Sequence, residues 1–341
     1  MREPIRFGVF DQTEQPGNLS AIELFESRLA LAELAERLGF ARYHKSEHHL
    51  TPLDHAPSIG LFLAALAQRT RTMRLGSLCH LLPFYHPLRL YEEICMLDAL
   101  SHGRFEFGFG KGISAPEHRL WGLDPDEATA RTEETFELLM SAFRCEGDFS
   151  FEGRFHRFAD VPLQIRPTQR PHPPLWRPGR TDIAAHMGAS TLAGGPTSAV
   201  HEAIERFDAI RQSLGPAPGP EQPQIGALRR FIVAPTDDEA MALGRSAWAR
   251  LTNDLGMLFR AYDEPIPNDP TVGGDFDRAL SVQAAVVGSP ATVRAHIDEL
   301  TASGKVRYVV GCFAFGDLTH EQIVRSMSLF GEHVIAPLSG R

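Results

Sequence analysis

Along this chain short unbroken apolar runs alternate with longer stretches in which apolar residues recur at the period of a helix. Ile5 to Phe10 reads as a buried strand. After a polar loop, Ser20-x-x-Glu23 forms a capping box that opens a helix with an inward stripe of Leu24, Leu31, Ala35 and Leu38, closed by Gly39. Ala41 to Lys45 is a second strand, Ala56 to Arg69 a second helix, and Met73 to Cys79 a third strand. His86-Pro87 starts a helix that ends near Gly103, because proline suits the first helical position, and Arg104 to Gly110 follows as strand four.

The pattern then repeats with more irregular joints. Thr129 to Cys145 is helical, a short hairpin lies around Phe151 to Phe155, and Leu175-Trp176 is strand five. Ser190 to Ala193 is strand six, Thr197 to Leu214 a helix, and Ala227 to Val233 strand seven. The capping box Thr236-x-x-Glu239 opens a helix through Trp248. Helices begin at Ser289-Pro290 and at the capping box Thr319-x-x-Gln322, with Val306 to Cys312 between them as strand eight. Eight strands, nearly all followed by helices, predict a (β/α)8 TIM barrel formed by residues 1–341 as one domain. Ala261 to Gln283, rich in Pro, Asp and Gly, breaks the rhythm as an irregular insertion before the last strand and reads as a mobile lid.

Composition narrows the function more than the fold. Thirty-four Lys and Arg against forty-three Asp and Glu give a net charge of −9 without long blocks of either sign, which argues against nucleic acid or an acidic membrane surface as partner. The start lacks a basic segment followed by a long apolar one, and no stretch has the roughly 18 apolar residues of a membrane span, so a cytoplasmic location is expected. Cys79, Cys95, Cys145 and Cys312 are scattered and read as reduced thiols, with no metal site.

A barrel gathers chemistry at the carboxyl ends of its strands. That rule collects Asp11, the cluster Glu47-His48-His49, Leu78-Cys79, Lys111 and Arg180 on one rim. Histidines beside a carboxylate suit proton transfer. Lys111 follows GRFEFGFGKG, where Gly108, Gly110 and Gly112 leave room for a ligand to approach, and Arg177-Pro178-Gly179-Arg180-Thr181 opens a helix whose free amides, with Arg180 and Thr181, can bind an anion. Arg131 can add a second charge. Together these point to a phosphate-bearing ligand. A metal hydrolase fits less well, because neighbouring strand residues diverge and strands four to eight end without a matching His or Asp.

The EHH cluster, the His86-Pro87 helix start, DALSHGRFEFGFGKG, Arg119-Leu120-Trp121-Gly122, VVGSPATV and LTHEQIVRSMSLF together resemble the bacterial luciferase-like flavin monooxygenase family over nearly the whole chain. The resemblance implies a barrel that binds reduced FMN delivered by a flavin reductase, reacts it with O2 through a flavin C4a-peroxide, and oxygenates a small organic substrate. It makes His48 the catalytic histidine, with Glu47 and His49 in support. It sets Leu78-Cys79 against the flavin ring, at a place where the family carries a non-prolyl cis peptide. It gives Lys111 and Arg131 the flavin phosphate. After strand five the chain departs from the family, with a shortened WRPGRTDIAAHMG in place of a longer Gly- and Ser-rich stretch, and this bears on Gly179, Arg180 and Thr181 as phosphate ligands. The same resemblance leaves two other functions open: hydride transfer with the deazaflavin F420, and a non-catalytic flavin-holding accessory protein. It also implies a homodimer.

Overall fold

Strand and helix alternate along the chain in a computed structural model that describes residues 4–17, 19–266 and 274–338. The strands are β1 (Arg6–Asp11), β2 (Arg42–Lys45), β3 (Arg74–Ser77), β4 (His80–Leu81), β5 (Phe105–Gly110), β6 (Phe149–Glu152), β7 (Arg157–Val161), β8 (Leu175–Trp176), β9 (Thr191–Ala193), β10 (Ile225–Val233), β11 (Ala285–Gly288) and β12 (Tyr308–Cys312). The helices are α1 (Ala21–Leu38), α2 (Ile59–Arg69), α3 (Pro87–Leu100), α4 (Ala115–Leu120), α5 (Ala128–Arg144), α6 (Thr181–Met187), α7 (Thr197–Leu214), α8 (Asp237–Ala261), α9 (Phe276–Ser281), α10 (Pro290–Thr301) and α11 (His320–Phe330). Among the described residues no helix is long and apolar enough to cross a membrane.

Ten of the described strands form one curled sheet in the order β11-β10-β12-β1-β2-β3-β5-β4, with β8 against β5 and β9 against β10. Every pairing in that sheet is parallel, whereas β6 and β7 make a separate antiparallel hairpin. Ser190, just ahead of β9, donates its N–H to Leu175 O and accepts from Arg177 N, both at 2.8 Å. The outer face of the sheet packs under the helices through aromatic side chains: Phe330 of α11 meets Phe7 of β1 at 5.6 Å and Phe231 of β10 at 4.9 Å between ring centres.

The sheet's inner face carries a polar floor. Buried Glu106 accepts from Arg42 Nε at 2.9 Å and from the Trp176 indole at 2.6 Å, and Arg74 also pairs with it. Burial alone would raise its carboxyl pKa, but Arg42 and Arg74 hold it at about 2. Above Glu106, His44 Nε2 meets the Tyr308 hydroxyl at 2.7 Å, in room left by glycines: a Cβ on Gly8 would sit 2.1 Å from the Tyr308 oxygen, and one on Gly76 2.6 Å from His44 Nδ1.

Three details depart from the expectations above. The helix expected to stop at Trp248 runs on to Ala261, because Leu251, Leu255, Leu258 and Phe259 continue its buried stripe. The far end of the irregular stretch is helix α9, whose Phe276 packs on Trp248 at 6.1 Å; residues 267–273 lie outside the described residues. A further strand, β11, precedes the Ser289-Pro290 helix start and pairs with β10.

The glycines of β5 serve the sheet before any ligand. Ser77 Oγ accepts from Gly108 N at 2.8 Å and donates to Gly108 O at 3.0 Å, drawing β3 and β5 so close that a Cβ at Gly108 would lie 2.0 Å from Ser77 O. One at Gly110 would lie 2.6 Å from Cys79 Sγ. Gly108→Ala is therefore expected to cost about 1–3 kcal/mol or more, since a backbone atom must move to admit the methyl. Urea denaturation measures it, and an unchanged midpoint would contradict the tight packing.

Candidate active site

A cavity of about 500 Å³ opens at the carboxyl ends of β1, β2, β3 and β5, a size ordinary for small-molecule sites. His48, Leu78, Cys79 and Lys111 all line it, so chain segments far apart in sequence meet there. Phe10, Leu81, Phe84, Ile113 and Ile183 make much of its wall apolar. The peptide bond between Leu78 and Cys79 is cis, and burial pushes the Cys79 thiol up to about 12, which keeps it protonated.

The loop after β2 is anchored before it reaches the cavity. Lys45 Nζ, fully buried, lies 2.6 Å from Asp54 Oδ2 and 2.8 Å from Ser46 O, while Asp54 Oδ1 accepts from Ala56 N at 2.9 Å. Both ends of the segment that carries Glu47, His48 and His49 are thereby tied down. Within it the expected partnership divides. Glu47 pairs with His49 Nε2 at 2.8 Å and accepts from the Tyr85 hydroxyl at 2.8 Å, and His49 stands edge-on to Phe84 and Trp121, off the cavity lining. Burial raises the Glu47 carboxyl pKa against the pull of His49.

His48 has a different partner, Glu117 of α4. Glu117 Oε1 stands 3.4 Å from His48 Nδ1, and its Oε2 accepts from His49 N at 2.9 Å. Burial pulls the His48 pKa down, but the hydrogen bond and charge of Glu117, with Asp54 adding, outweigh it and raise the pKa overall. Glu117 moves the opposite way: burial raises it, and the bonds from His48 and His49 bring it below the ordinary range. Both shifts favour the charged forms of the pair at the cavity wall.

The basic groups separate into those at the cavity and those beside it. Lys111 lines the cavity and is exposed, and Arg177 lines it with its guanidinium 5.6 Å from the Phe109 ring centre. Gly179 lines it too, with φ of +102° and open space where a Cβ would project. Arg180 reaches the lining but is largely exposed and is tied to Asp182 at 2.7 Å. Thr181 opens α6 and is not in the lining. Arg131 lies off the cavity, paired with Glu127 at 2.9 Å and stacked 4.2 Å from the Phe155 ring centre, because Thr129, Thr132 and Glu133 present the cavity face of α5. Asp11 is consumed by structure: it accepts from the Tyr43 hydroxyl at 2.6 Å and from Thr13 N at 3.0 Å. Among the described residues, no group of three His, Cys, Asp or Glu side chains could hold a metal ion.

Residues 5–306 match the family model of luciferase-like monooxygenases. The chain belongs to the luciferase-like monooxygenase family. This luciferase-like chain is 34% identical over 292 residues to limonene 1,2-monooxygenase of Rhodococcus erythropolis, covering 84% of this chain and 74% of that one. To the oxygenase component of the flavin-dependent trigonelline monooxygenase of Acinetobacter baylyi it is 25% identical over 284 residues, 78% of each chain. The crystal structure of the monooxygenase RslO1 from Streptomyces bottropensis superposes with a TM-score of 0.84 at 31% identity, over 97% of this chain and 99% of that one.

In this luciferase-like site Glu117 is a residue that sequence reasoning passed over, and Arg177 was named only within the segment through Thr181, with no role of its own. A signal for Glu117 existed. Ser114-x-x-Glu117 has capping-box spacing, and Ser114 does accept from Glu117 N at 3.3 Å, yet the Glu117 carboxylate turns away from the box toward His48 and His49. By contrast, Glu23 in Ser20-x-x-Glu23 closes its box with a bond from Ser20 N at 2.8 Å.

Proposed function

We propose that this chain is the oxygenase component of a flavin-dependent monooxygenase, taking reduced FMN from a separate reductase and using O2 to oxygenate a small organic substrate. One observation carries the proposal: a single cavity joins a histidine charge-paired to a buried carboxylate with a basic, glycine-lined end. The residues fit the cofactor. Phe10, Leu78, Leu81 and Phe84 offer apolar walls to a flat ring, Lys111 and Arg177 offer cations to a phosphate, and Gly179 leaves backbone open beside them. Bound there, reduced flavin would supply the electrons that activate O2. The chain's own residues bind, orient and shield: Lys111 and Arg177 hold the anionic end, the Leu78–Cys79 segment backs the ring, His48 holds or gives a proton from a ring kept charged by Glu117, and the apolar wall excludes water.

The purified chain is expected to quench FMN fluorescence on binding and, with a flavin reductase and NADH, to consume O2 in step with added substrate. Parallel titration with F420 separates the other enzymatic reading. Tight binding of F420 alone would replace oxygenation with hydride transfer, and flavin binding without O2 uptake on any substrate would leave an accessory role.

The hydrogen bonds of Ser190 to β8 support a sheet closed into a (β/α)8 barrel of one domain, since they supply the link between β8 and β9 that the other pairings leave open. A homodimer is supported by the groove between α2 and α3, where Leu61 is 76% and Met96 53% exposed beside Ala64 and Leu100, rimmed by Arg89, Glu92 and Glu93. An apolar strip rimmed by both signs of charge is self-complementary under two-fold pairing. Light scattering is expected to give the dimer mass for the parent and the monomer mass for Leu61→Glu combined with Met96→Glu; a monomeric parent would remove this proposal.

A further inference from the structure

A second, much smaller space borders His48. The loop after β2, the start of α4 and the last turns of α8 enclose it, with Leu53, Ile113, Leu255, Leu258 and Phe259 as apolar walls. Leu53, Leu255, Leu258 and Phe259 are at most 7% exposed. An ion pair between Arg119 of α4 and Glu264, just past α8, fastens the two helices that close the chamber. The free space is about 10 Å³, enough for one molecule the size of water. His48, Ile113, Ser114 and Glu117 line this chamber and the main cavity alike, so the two share a wall. The polar atoms of that wall serve one another. Ser114 Oγ accepts from Glu117 N at 3.3 Å, Glu117 Oε1 stands 3.4 Å from His48 Nδ1, and Glu117 Oε2 accepts from His49 N at 2.9 Å. Thr51 Oγ1 accepts from Leu53 N at 3.4 Å. A buried water needs about two to four polar partners of its own, so this chamber suits an apolar guest better.

We infer that this chamber is a holding site for dioxygen, an apolar diatomic of matching size, kept one wall away from the main cavity with His48 in the partition. Entry takes the apolar guest out of water. Close packing in the rest of the core gives such a molecule few other places to rest. The holding site stands on the size and lining of the chamber; its use in catalysis rests on the main cavity being the flavin site proposed above. Lys111 and Arg177, proposed to grip the flavin phosphate, line the main cavity only. Leu53, Leu255, Leu258 and Phe259 line the chamber only. Oxygen supply and flavin binding are therefore separable by substitution.

Two measurements test the inference. Dioxygen is paramagnetic and so reports its own position. In the full-length apo protein with 13C-labelled leucine methyls, raised O2 pressure is expected to speed the relaxation of Leu53, Leu255 and Leu258 several-fold more than that of Leu63 and Leu90, which are fully buried in the close-packed core. Equal enhancement in the two sets would overturn the holding site. The second measurement reads its use. Leu258→Phe fills the chamber from a position outside the main cavity lining. With reduced FMN bound, stopped-flow mixing with O2 follows oxidation to FMN as O2 passes to H2O2. The second-order rate constant for O2 is expected to fall about tenfold in the variant, the effect of about 1.4 kcal/mol, while FMN affinity matches the parent's. Leu255→Phe, which fills the same space from the adjacent turn, carries the measurement if Leu258→Phe does not fold. A parent-like rate constant in a folded, filled variant would overturn the role in oxygen supply. If the parent binds no FMN, the proposed function fails while the methyl relaxation still decides the holding site.

Discussion

His48→Ala is expected to lower substrate-dependent O2 consumption by about 10²–10⁴-fold, the usual worth of a positioned proton-transfer group, with FMN affinity changed only a few-fold. The split follows from position. His48 lines the cavity with its ring paired to Glu117, whereas Lys111 and Arg177 are the groups proposed to grip the phosphate. Steady-state kinetics with saturating reductase, alongside FMN titration of the same variant, separates the two quantities. Because Glu117 stands at His48 Nδ1, the alanine variant leaves a buried carboxylate without its ring partner. Thermal melting should therefore accompany the kinetics, so that lost activity in a folded protein is told from unfolding. Turnover equal to the parent's in the folded variant would strip His48 of its role.

The second large effect is on stability in acid. Burial lowers the pKa of His44 to about 4, with Glu106 opposing, and burial lowers that of His80 to about 3. Both are fully buried and neutral in the folded chain. An unfolded histidine takes its proton near pH 6.5, so the unfolded state binds more protons at any pH between that value and the folded one. Each ring's contribution is complete above about pH 6.5 and drains away as pH falls toward 4 or 3, at about 1.4 kcal/mol per pH unit. At pH 5 that is about 2 kcal/mol for each ring. Glu14 works the other way. Burial raises its pKa to about 7, so it stabilises at low pH and loses that contribution as pH rises through 7, which offsets part of the loss.

His80→Leu isolates one ring from that background, since the imidazole lies among the rings of Tyr85, Phe105 and Phe107. Between pH 7.5 and pH 5 the parent is expected to lose about 2 kcal/mol more than the variant in urea denaturation. Equal losses would show that His80 is not held neutral by the fold.

The elements that could be read from the sequence are those whose cause is local. The boxes at Ser20 and Thr319 both close with reciprocal bonds, and Pro87 and Pro290 both occupy the first helical turn. Where the cause is tertiary, local signals ran short. The stripe of Leu251, Leu255 and Leu258 was present in the sequence, but the neighbouring Pro- and Asp-rich run masked how far α8 continues. In the site, His48, Leu78, Cys79 and Lys111 could be grouped because strand ends share one rim. Partner choice could not. Glu47 lies next to His48 in sequence yet pairs with His49, and the carboxylate that reaches His48 comes from Glu117, sixty-nine residues away. Arg131 and Arg177 are equally basic in the sequence, and only the structure distinguishes the one paired with Glu127 from the one at the cavity.

The Glu106 floor has a consequence for how the sheet is held at its lower end. With Arg42, Arg74 and the Trp176 indole locked around one carboxylate, the inner face is sealed at its lower end by groups that cannot part without stranding a charge. The amino-terminal end of the sheet is thus held shut by charge pairing as well as by packing, and truncating any one member of the cluster would leave a buried ion without its counter-charge.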